Sequence, residues 1–496
     1  MKPIAALLLA AAAARAGAAP IAFVDVNLIA MQNEQVQAHQ TVLVEDGRIA
    51  AAGPMESVAV PRGAQRIDGK GRYLMPGLVD AHVHLLSRAE LPLFLAQGVT
   101  TVYNLSGHSA HLTWRRQVAG GSLLGPRIFT TGPIMNTSMP PAEAERFVQK
   151  IADQGYDGIK VYNKIGAEEY PVIIATAKAR GLLITGHVAR APGFAKTLAA
   201  GQSLAHAEEI LYSQFNDGGG ESFDHVKLDE SKIAPTAAQI KAAGISVTAT
   251  LTTFHDIQLE STDLQTYLKR PEIAALAPWV RDGLAPGKNI YGHFSPNDQN
   301  FLREAMPFQR KLVKAMSDAG VPILTGTDAA MLGPVPGYSL HREFAELSES
   351  GLTPYQVLRA ATVSPAAYFG KPGEDGTIAP GRRADLLLLQ ANPLDDVANT
   401  TKIEGVMAAG RWLPRKRLDQ LTAALPAAHR ATRDRLLAAL IAKPESFPAM
   451  LEDEDPLGVM HGELRKSLQR KVGKQRAEAI LSRVRAAAPN SDFAKS

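Results

Sequence analysis

The sequence predicts an α/β chain built on a (β/α)8 TIM barrel, and three observations carry that prediction. Eight strand-like runs alternate with helical patterns between residues 76 and 370, short strand-and-turn segments flank that region on both sides, and the chain turns polar and helical after Trp412. Regular alternation of strand and helix marks a parallel sheet. A closed eightfold barrel typically needs ~250 residues plus insertions.

Residues 1–18 read as a signal peptide: Lys2, an apolar run over residues 4–14 too short to span a bilayer, then Ala16-Gly17-Ala18 as a small-x-small cleavage site. This predicts export to a periplasm, with the medium as the alternative, and a mature start near Ala19. Residues 20–75 carry short strands over 21–26 and 41–50, the second turning at Asp46-Gly47. The same texture returns within 371–414, at 378–390 and 406–412. The two flanks together predict one small, discontinuous β-sandwich domain.

The barrel domain is expected over 76–370, with strands at 78–86, 100–104, 127–131, 158–162, 182–187, 203–206, 245–250 and 321–327. Helices are expected over 142–154, 170–179 and 308–319, and a Gly- and Asp-rich insertion over about 213–240 is expected to form a lid beside the site. Residues 415–496 predict a helical extension with basic faces, patterned over 419–440 and 463–488. Its role is left open between a dimer arm, a cover over the barrel base and a separate binding module.

Composition narrows the function. With 46% hydrophobic and 21% charged residues, the chain has an ordinary globular make-up. A net charge of +4 on 496 residues does not argue for nucleic acid. The absence of cysteine excludes disulfides, a thiol nucleophile and thiolate metal ligands. No stretch after the leader approaches eighteen uninterrupted apolar residues, so no transmembrane segment is expected. The oligomeric state, a homo-oligomer included, is not fixed by the sequence.

His82 and His84 sit two apart in an apolar strand opened by Pro76-Gly77, so both imidazoles project to one side. Two neutral nitrogen donors on a rigid face suit a zinc-like ion. Other strands end in His187, His206 and Asp328, each of which alone has a bland reading as a core histidine or a helix cap. Lys160, inside Gly-Ile-Lys-Val-Tyr, is harder to dismiss. Burying an ammonium is expensive, and desolvation drives it toward a reactive neutral amine.

Taken together, Pro76-Gly-Leu-Val-Asp-Ala-His-Val-His84, Gly158-Ile-Lys160, Gly186-His187, Ala205-His206-Ala-Glu and Thr325-Gly-Thr-Asp328 resemble the amidohydrolase superfamily. The runs starting at Leu340, Leu358 and Gly376 extend the resemblance, which covers about residues 21–414 and is nearest the Xaa-Pro dipeptidase and imidazolonepropionase-like branch. It implies two divalent metal ions, zinc first and manganese or cobalt as alternatives. His82, His84 and Asp328 would hold one ion and His187 and His206 the other, with Lys160 bridging as a carbamate formed from carbon dioxide. Asp328 would be general base and then acid, and Tyr212 a contact to the reacting oxyanion.

Tyr162, Arg190, His255 and His341 are candidate rim or supporting groups, while His108, His111, His225 and His293 read as surface residues. The expected activity is hydrolysis of an amide bond in a dipeptide, Xaa-Pro included, or in an N-acyl amino acid. A cyclic amide or lactone is the alternative. A non-catalytic metal-containing envelope protein is the distant one, opposed by the intact Asp328 and Lys160.

Overall fold

The computed structural model describes residues 19–218, 223–331, 333–489 and 491–495. The expected signal peptide lies outside the described residues. Both flanks of the chain join in one eight-stranded sheet, in the order Arg411–Pro414, Ile403–Ala408, Leu386–Leu389, Tyr73–Pro76, Ile21–Leu28, Gln37–Glu45 and Arg48–Pro54, with Gln65–Asp68 also beside Ile21–Leu28. The seam is the antiparallel pair Tyr73–Pro76 and Leu386–Leu389, where Leu74 lies opposite Leu388.

Side-chain alternation along that seam ties the sheet to the barrel. Leu386 and Leu388 join the sheet's own core with Phe23, Val26 and Leu74. Leu387 and Leu389 point the other way into the barrel's core with Met75 and Leu78. A strand buried on both faces has no polar position, which accounts for four consecutive leucines.

The chain enters the barrel through Gly77, where a Cβ would lie 2.3 Å from Thr100 Oγ1. Three parallel strands follow, Leu78–Val83, Val99–Asn104 and Arg127–Thr130. Five more, Gly158–Val161, Leu183–Gly186, Ser203–Ala205, Val247–Thr248 and Ile323–Leu324, complete the eight. The two arcs are joined on one side by Thr131 against Gly158 and Met135 against Val161. On the other side Val83 meets Ala329, and the Ala81 N–H donates to Thr325 O at 2.8 Å.

The expected barrel helices appear as Pro141–Asp153, Tyr170–Ala179 and Pro296–Asp318. The expectation of a lid over 213–240 is corrected in part, because Ile233–Ala242 is itself a helix packed against Pro296–Asp318. A longer excursion follows the seventh strand. Helices Leu251–Thr262, Leu264–Leu268 and Pro278–Gly283, with short 3-10 turns at Pro271–Ala275 and Ile290–His293, fill residues 251–295. Such short pieces interrupted by Pro271 and Pro278 carry little periodicity, so they do not stand out in the sequence.

The C-terminal extension opens with a helix, Arg415–Ala442, whose 28 residues span ~42 Å. It runs antiparallel to Leu91–Ala96: Arg415 Nη1 donates to Ala96 O at 3.4 Å, while His429 lies 3.6 Å from Glu90. The extension therefore climbs the barrel's flank from the small sheet toward the carboxyl ends of the strands. There Phe447–Glu454 docks on the segment after the first strand and on the helix Ser109–Ala119 after the second, where Arg88 pairs with Glu454 and Trp114 Nε1 donates to Asp453 O at 3.2 Å. None of the described helices is long and apolar enough to cross a membrane.

Candidate metal centre

The six residues singled out in the sequence converge at the carboxyl ends of the barrel strands. Nε2 of His82 and Nε2 of His84 each lie 2.9 Å from Asp328 Oδ1. The ligand atoms of these three residues are all within 4.8 Å of one another. Lys160 Nζ is 3.1 Å from His82 Nε2. The His206 ring centroid is 4.5 Å from that of His82 and 4.9 Å from that of His187.

The backbone is shaped to deliver these side chains. His206, Thr250 and Asp328, at the ends of three neighbouring strands, all have positive φ, at 73°, 49° and 55°. Such conformations persist in non-glycine residues only where surrounding structure fixes them, and they gather at functional sites. Gly186, before His187, has φ of 142°, and a Cβ there would lie 2.0 Å from Val161 O.

Each imidazole is aimed by a second contact. His187 Nδ1 meets Glu209 Oε1 and Asn163 Oδ1, both at 3.0 Å, and His206 Nδ1 meets Thr250 Oγ1 at 2.8 Å. In both rings Nε2 is left for the centre, the arrangement that fixes the tautomer of a metal-ligating histidine. Asp80 clamps the first strand to the eighth. Its Oδ2 accepts the Thr327 hydroxyl at 2.6 Å, and its Oδ1 accepts the N–H groups of Thr327 at 3.1 Å and His82 at 3.3 Å.

Electrostatics match a cation-binding centre. Burial, then the Lys160 charge, pushes His82 down to about 3, so the ring is neutral and its lone pair free. Burial also lowers His187 and His206. Burial opposes ionisation of Asp328, but His82 and His84 outweigh it and hold the carboxyl well below its ordinary range. Burial brings Lys160 down to about 8. Buried imidazole nitrogens, an ionised carboxylate, a lysine brought below its ordinary range and a His82 Nδ1 buried without a hydrogen-bond partner form a donor set that fits divalent metal.

Other expectations sort differently. Tyr162 lies against His187 with ring centroids 3.9 Å apart, and Arg190 pairs with Glu209 at 3.1 Å. Tyr212 sits at this rim, 5.8 Å from the Arg190 guanidinium, and burial raises its phenol with Glu208 and Glu209 adding to the shift. His255 is instead held by Glu346 at 2.5 Å, in a group with Arg310 away from the centre. His341 bridges Thr400 and Gln97 O, so it packs the barrel wall. His111, expected at the surface, is fully buried and bonds Leu85 O at 2.9 Å just behind His84.

Two neighbours of the centre, Glu209 and Tyr291, carry no signal of their own in the sequence. Asp80 and Glu208 lie within the motifs Pro76-Gly-Leu-Val-Asp-Ala-His-Val-His84 and Ala205-His206-Ala-Glu, without a role assigned there. Tyr291 comes from the excursion after the seventh strand and lies in the field of Glu260, Asp328 and Glu208. Asn289 anchors it by accepting the Tyr291 N–H at 2.8 Å while donating to Glu260 at 2.8 Å.

With this geometry established, comparison places the chain. The amidohydrolase family profile matches residues 73–413, and the chain belongs to that family of hydrolases. Its members generally use divalent metal. An imidazolonepropionase from Saccharopolyspora erythraea is 26% identical over 401 residues, covering 75% of this chain and 93% of that protein. An adenine deaminase from Paracoccus denitrificans is 25% identical over 378 residues, covering 72% of this chain but only 52% of that relative, so the chain spans about half its length. The crystal structure of a Xaa-Pro dipeptidase with bound methionine superposes with a TM-score of 0.62 at 18% identity, covering 80% of this chain and 100% of that one, a likeness of fold.

Proposed function

We propose that this chain is an exported metal-dependent hydrolase of an amide bond in a dipeptide, Xaa-Pro included, or in an N-acyl amino acid. The observation that carries the reading is the convergence of His82, His84 and Asp328 on one point, with a buried lysine 3.1 Å from His82. His82, His84 and Asp328 would hold one ion and His187 and His206 the second, zinc being best suited to nitrogen and oxygen donors. Bound metal would supply an activated water and polarise the scissile carbonyl.

The chain's own residues do the rest. Lys160, partly neutral near its value of about 8, adds carbon dioxide at Nζ, releases one proton and becomes an anionic carbamate. Asp328 keeps 18% of its side chain open to solvent, so its carboxylate can take the water's proton and pass it to the leaving nitrogen. Tyr212, beside Arg190 at the rim, is the candidate donor to the oxyanion. Export rests on the apolar leader and Ala16-Gly17-Ala18.

A second reading, hydrolysis of a cyclic amide or lactone on the same centre, is favoured by the likeness to an imidazolonepropionase. The test is turnover by zinc- or manganese-loaded protein in bicarbonate buffer. Substrates would be Xaa-Pro and other dipeptides, N-acyl amino acids, cyclic amides and lactones, each with a chelated control. Chelator-sensitive cleavage of a linear amide is expected. Cleavage confined to the ring substrates would replace the first reading with the second.

A further inference from the structure

The C-terminal extension, residues 415–496, holds 16 Lys and Arg against 10 Asp and Glu, a net +6. The whole chain sums to +4, so residues 1–414 sum to −2 and the basic excess lies in the extension alone. Four of its ten acids form the run 452–455, which is spent on inward contacts. Glu452 accepts from Ser109, Glu454 takes Arg88, and buried Asp455 accepts the N–H groups of Val459 and Met460.

The bases gather elsewhere, at the turn between the helices His461–Val472 and Lys474–Ala487. Residues 465–476 contain Arg465, Lys466, Arg470, Lys471, Lys474 and Arg476 and no acid. All but Arg465 are exposed. Arg470 is answered by Glu463 at 2.9 Å and Lys466 by Asp282 at 3.5 Å. Lys471, Lys474 and Arg476 have no carboxylate within 4.0 Å among the described residues. Arg430 and Arg433 adjoin them, lining one recess with Lys466 and Arg470 beside Asp282 and Glu463. Lys474 and Arg476 stand in a first helical turn that has no acid, where a cation opposes the helix dipole. Helix stability therefore does not account for them.

Like charges gathered without partners repel one another, and an anionic surface removes that cost. We infer that this basic turn docks the protein on an anionic phospholipid surface. Residues 465–476 include no aromatic side chain on which a nucleobase could stack, which opposes single-stranded nucleic acid. Exposed, flexible lysines and arginines suit a flat and diffuse layer of charge. None of the described helices is long and apolar enough to cross a bilayer, so the contact is peripheral and salt-sensitive. The inference is independent of the hydrolase reading.

The experiment sediments the protein from Ala19 onward, so that the apolar leader cannot itself insert, with two kinds of vesicle. One is phosphatidylcholine alone and the other contains phosphatidylglycerol. Binding is expected only to the second, with release at high salt. Each base near an anionic bilayer strengthens binding by roughly fivefold, so Lys471→Glu, Lys474→Glu and Arg476→Glu together should weaken it by about 100-fold or more. Melting temperature and metal content should stay at the parent values. A control with the same net charge, Arg62→Glu, Arg66→Glu and Lys70→Glu, changes three exposed bases of the small sheet and should bind nearly as the parent does. Equal sedimentation with both vesicles would overturn the inference. So would parent-like binding by the first triple variant, or an equal loss in the control, which would make net charge and not the turn the cause. Tighter binding of DNA than of anionic vesicles at the same salt would replace the lipid with nucleic acid. Should the charge reversals at the turn fail to fold, replacing the same three residues with Gln reads the loss in weaker form.

Discussion

Lys160 Nζ lies 3.1 Å from His82 Nε2 inside the barrel mouth, a cation held against an imidazole that burial has already made neutral. Neither group satisfies the other's charge. The lysine falls from its ordinary 10.5 to about 8 chiefly through burial. At pH 7 that leaves roughly a tenth of the amine neutral, against well under a thousandth for a free lysine. Carbamate forms only from the neutral amine, so metal loading should depend on dissolved carbon dioxide. Protein reconstituted in carbon-dioxide-free buffer should hold less metal than protein given bicarbonate, and Lys160→Ala should show no such difference. Equal metal content in both buffers for the parent protein would remove the carbamate from the site.

The same shift has a stability consequence in the metal-free, carbon-dioxide-free protein. The folded-state value lies below the unfolded one, so between about pH 8 and 10.5 the unfolded chain binds more protons and stability rises with pH. Below pH 8 the full penalty of the buried cation is present, about 3 kcal/mol for a shift of this size. Urea unfolding of the parent and of Lys160→Met should therefore show the variant's advantage at pH 7.5 shrinking as pH approaches 10. A constant difference across that range would mean the ammonium is solvated in the native state.

Asp328 Oδ1 lies 2.9 Å from Nε2 of both His82 and His84, and its side chain reaches solvent. Asp328→Asn keeps the shape and loses the proton acceptor. Turnover should fall by ~10²–10⁴, with the circular dichroism spectrum unchanged. An active Asp328→Asn protein would move the proton transfer to another group, and Glu208 would be the next to replace.

Glu209 aims His187 through Nδ1 and holds Arg190 at the same time. Replacing it with Gln keeps the size but weakens both contacts. Metal affinity should drop by ~10–100-fold, measured by competition with a chromogenic chelator. An unaltered affinity would mean His187 is oriented by Asn163 alone.

How much of this was readable in the sequence depended on the range of the interaction. Buried barrel strands announce themselves as apolar runs, and the polar residues at their ends fall where barrel geometry puts an active site. That is why His82, Lys160, His187, His206 and Asp328 were found together. Groups brought in by long-range packing were not. Tyr291 lies on a 3-10 turn in an excursion with no clear period, and Asp80 is buried by a bond to Thr327 far along the chain. His255 and His341 read as candidate rim or supporting groups in the sequence, yet their helices turn them toward Glu346 and Thr400. The extension was legible as helix, but its docking surface was not, since Arg88 and Glu454 meet only in the fold.

That docking yields the last prediction. The loop carrying Arg88 begins just after His84, and the helix Ser109–Ala119 after the second strand holds His111 and Trp114 behind it. Glu454 is nearly buried and takes both Arg88 and Arg435, so it fastens the extension to the loop beside a proposed metal ligand. Glu454→Ala leaves Arg88 without its buried acceptor, at a penalty of ~1–3 kcal/mol. Two effects should follow together: faster proteolytic release of the extension, and weaker metal binding. A double variant with Arg88→Ala should recover part of the lost stability, because the unpaired, half-buried charge is gone. If Glu454→Ala loosens the extension while metal affinity stays at the parent value, the loop beside His84 is held by Asn104 and His111 without help from the extension.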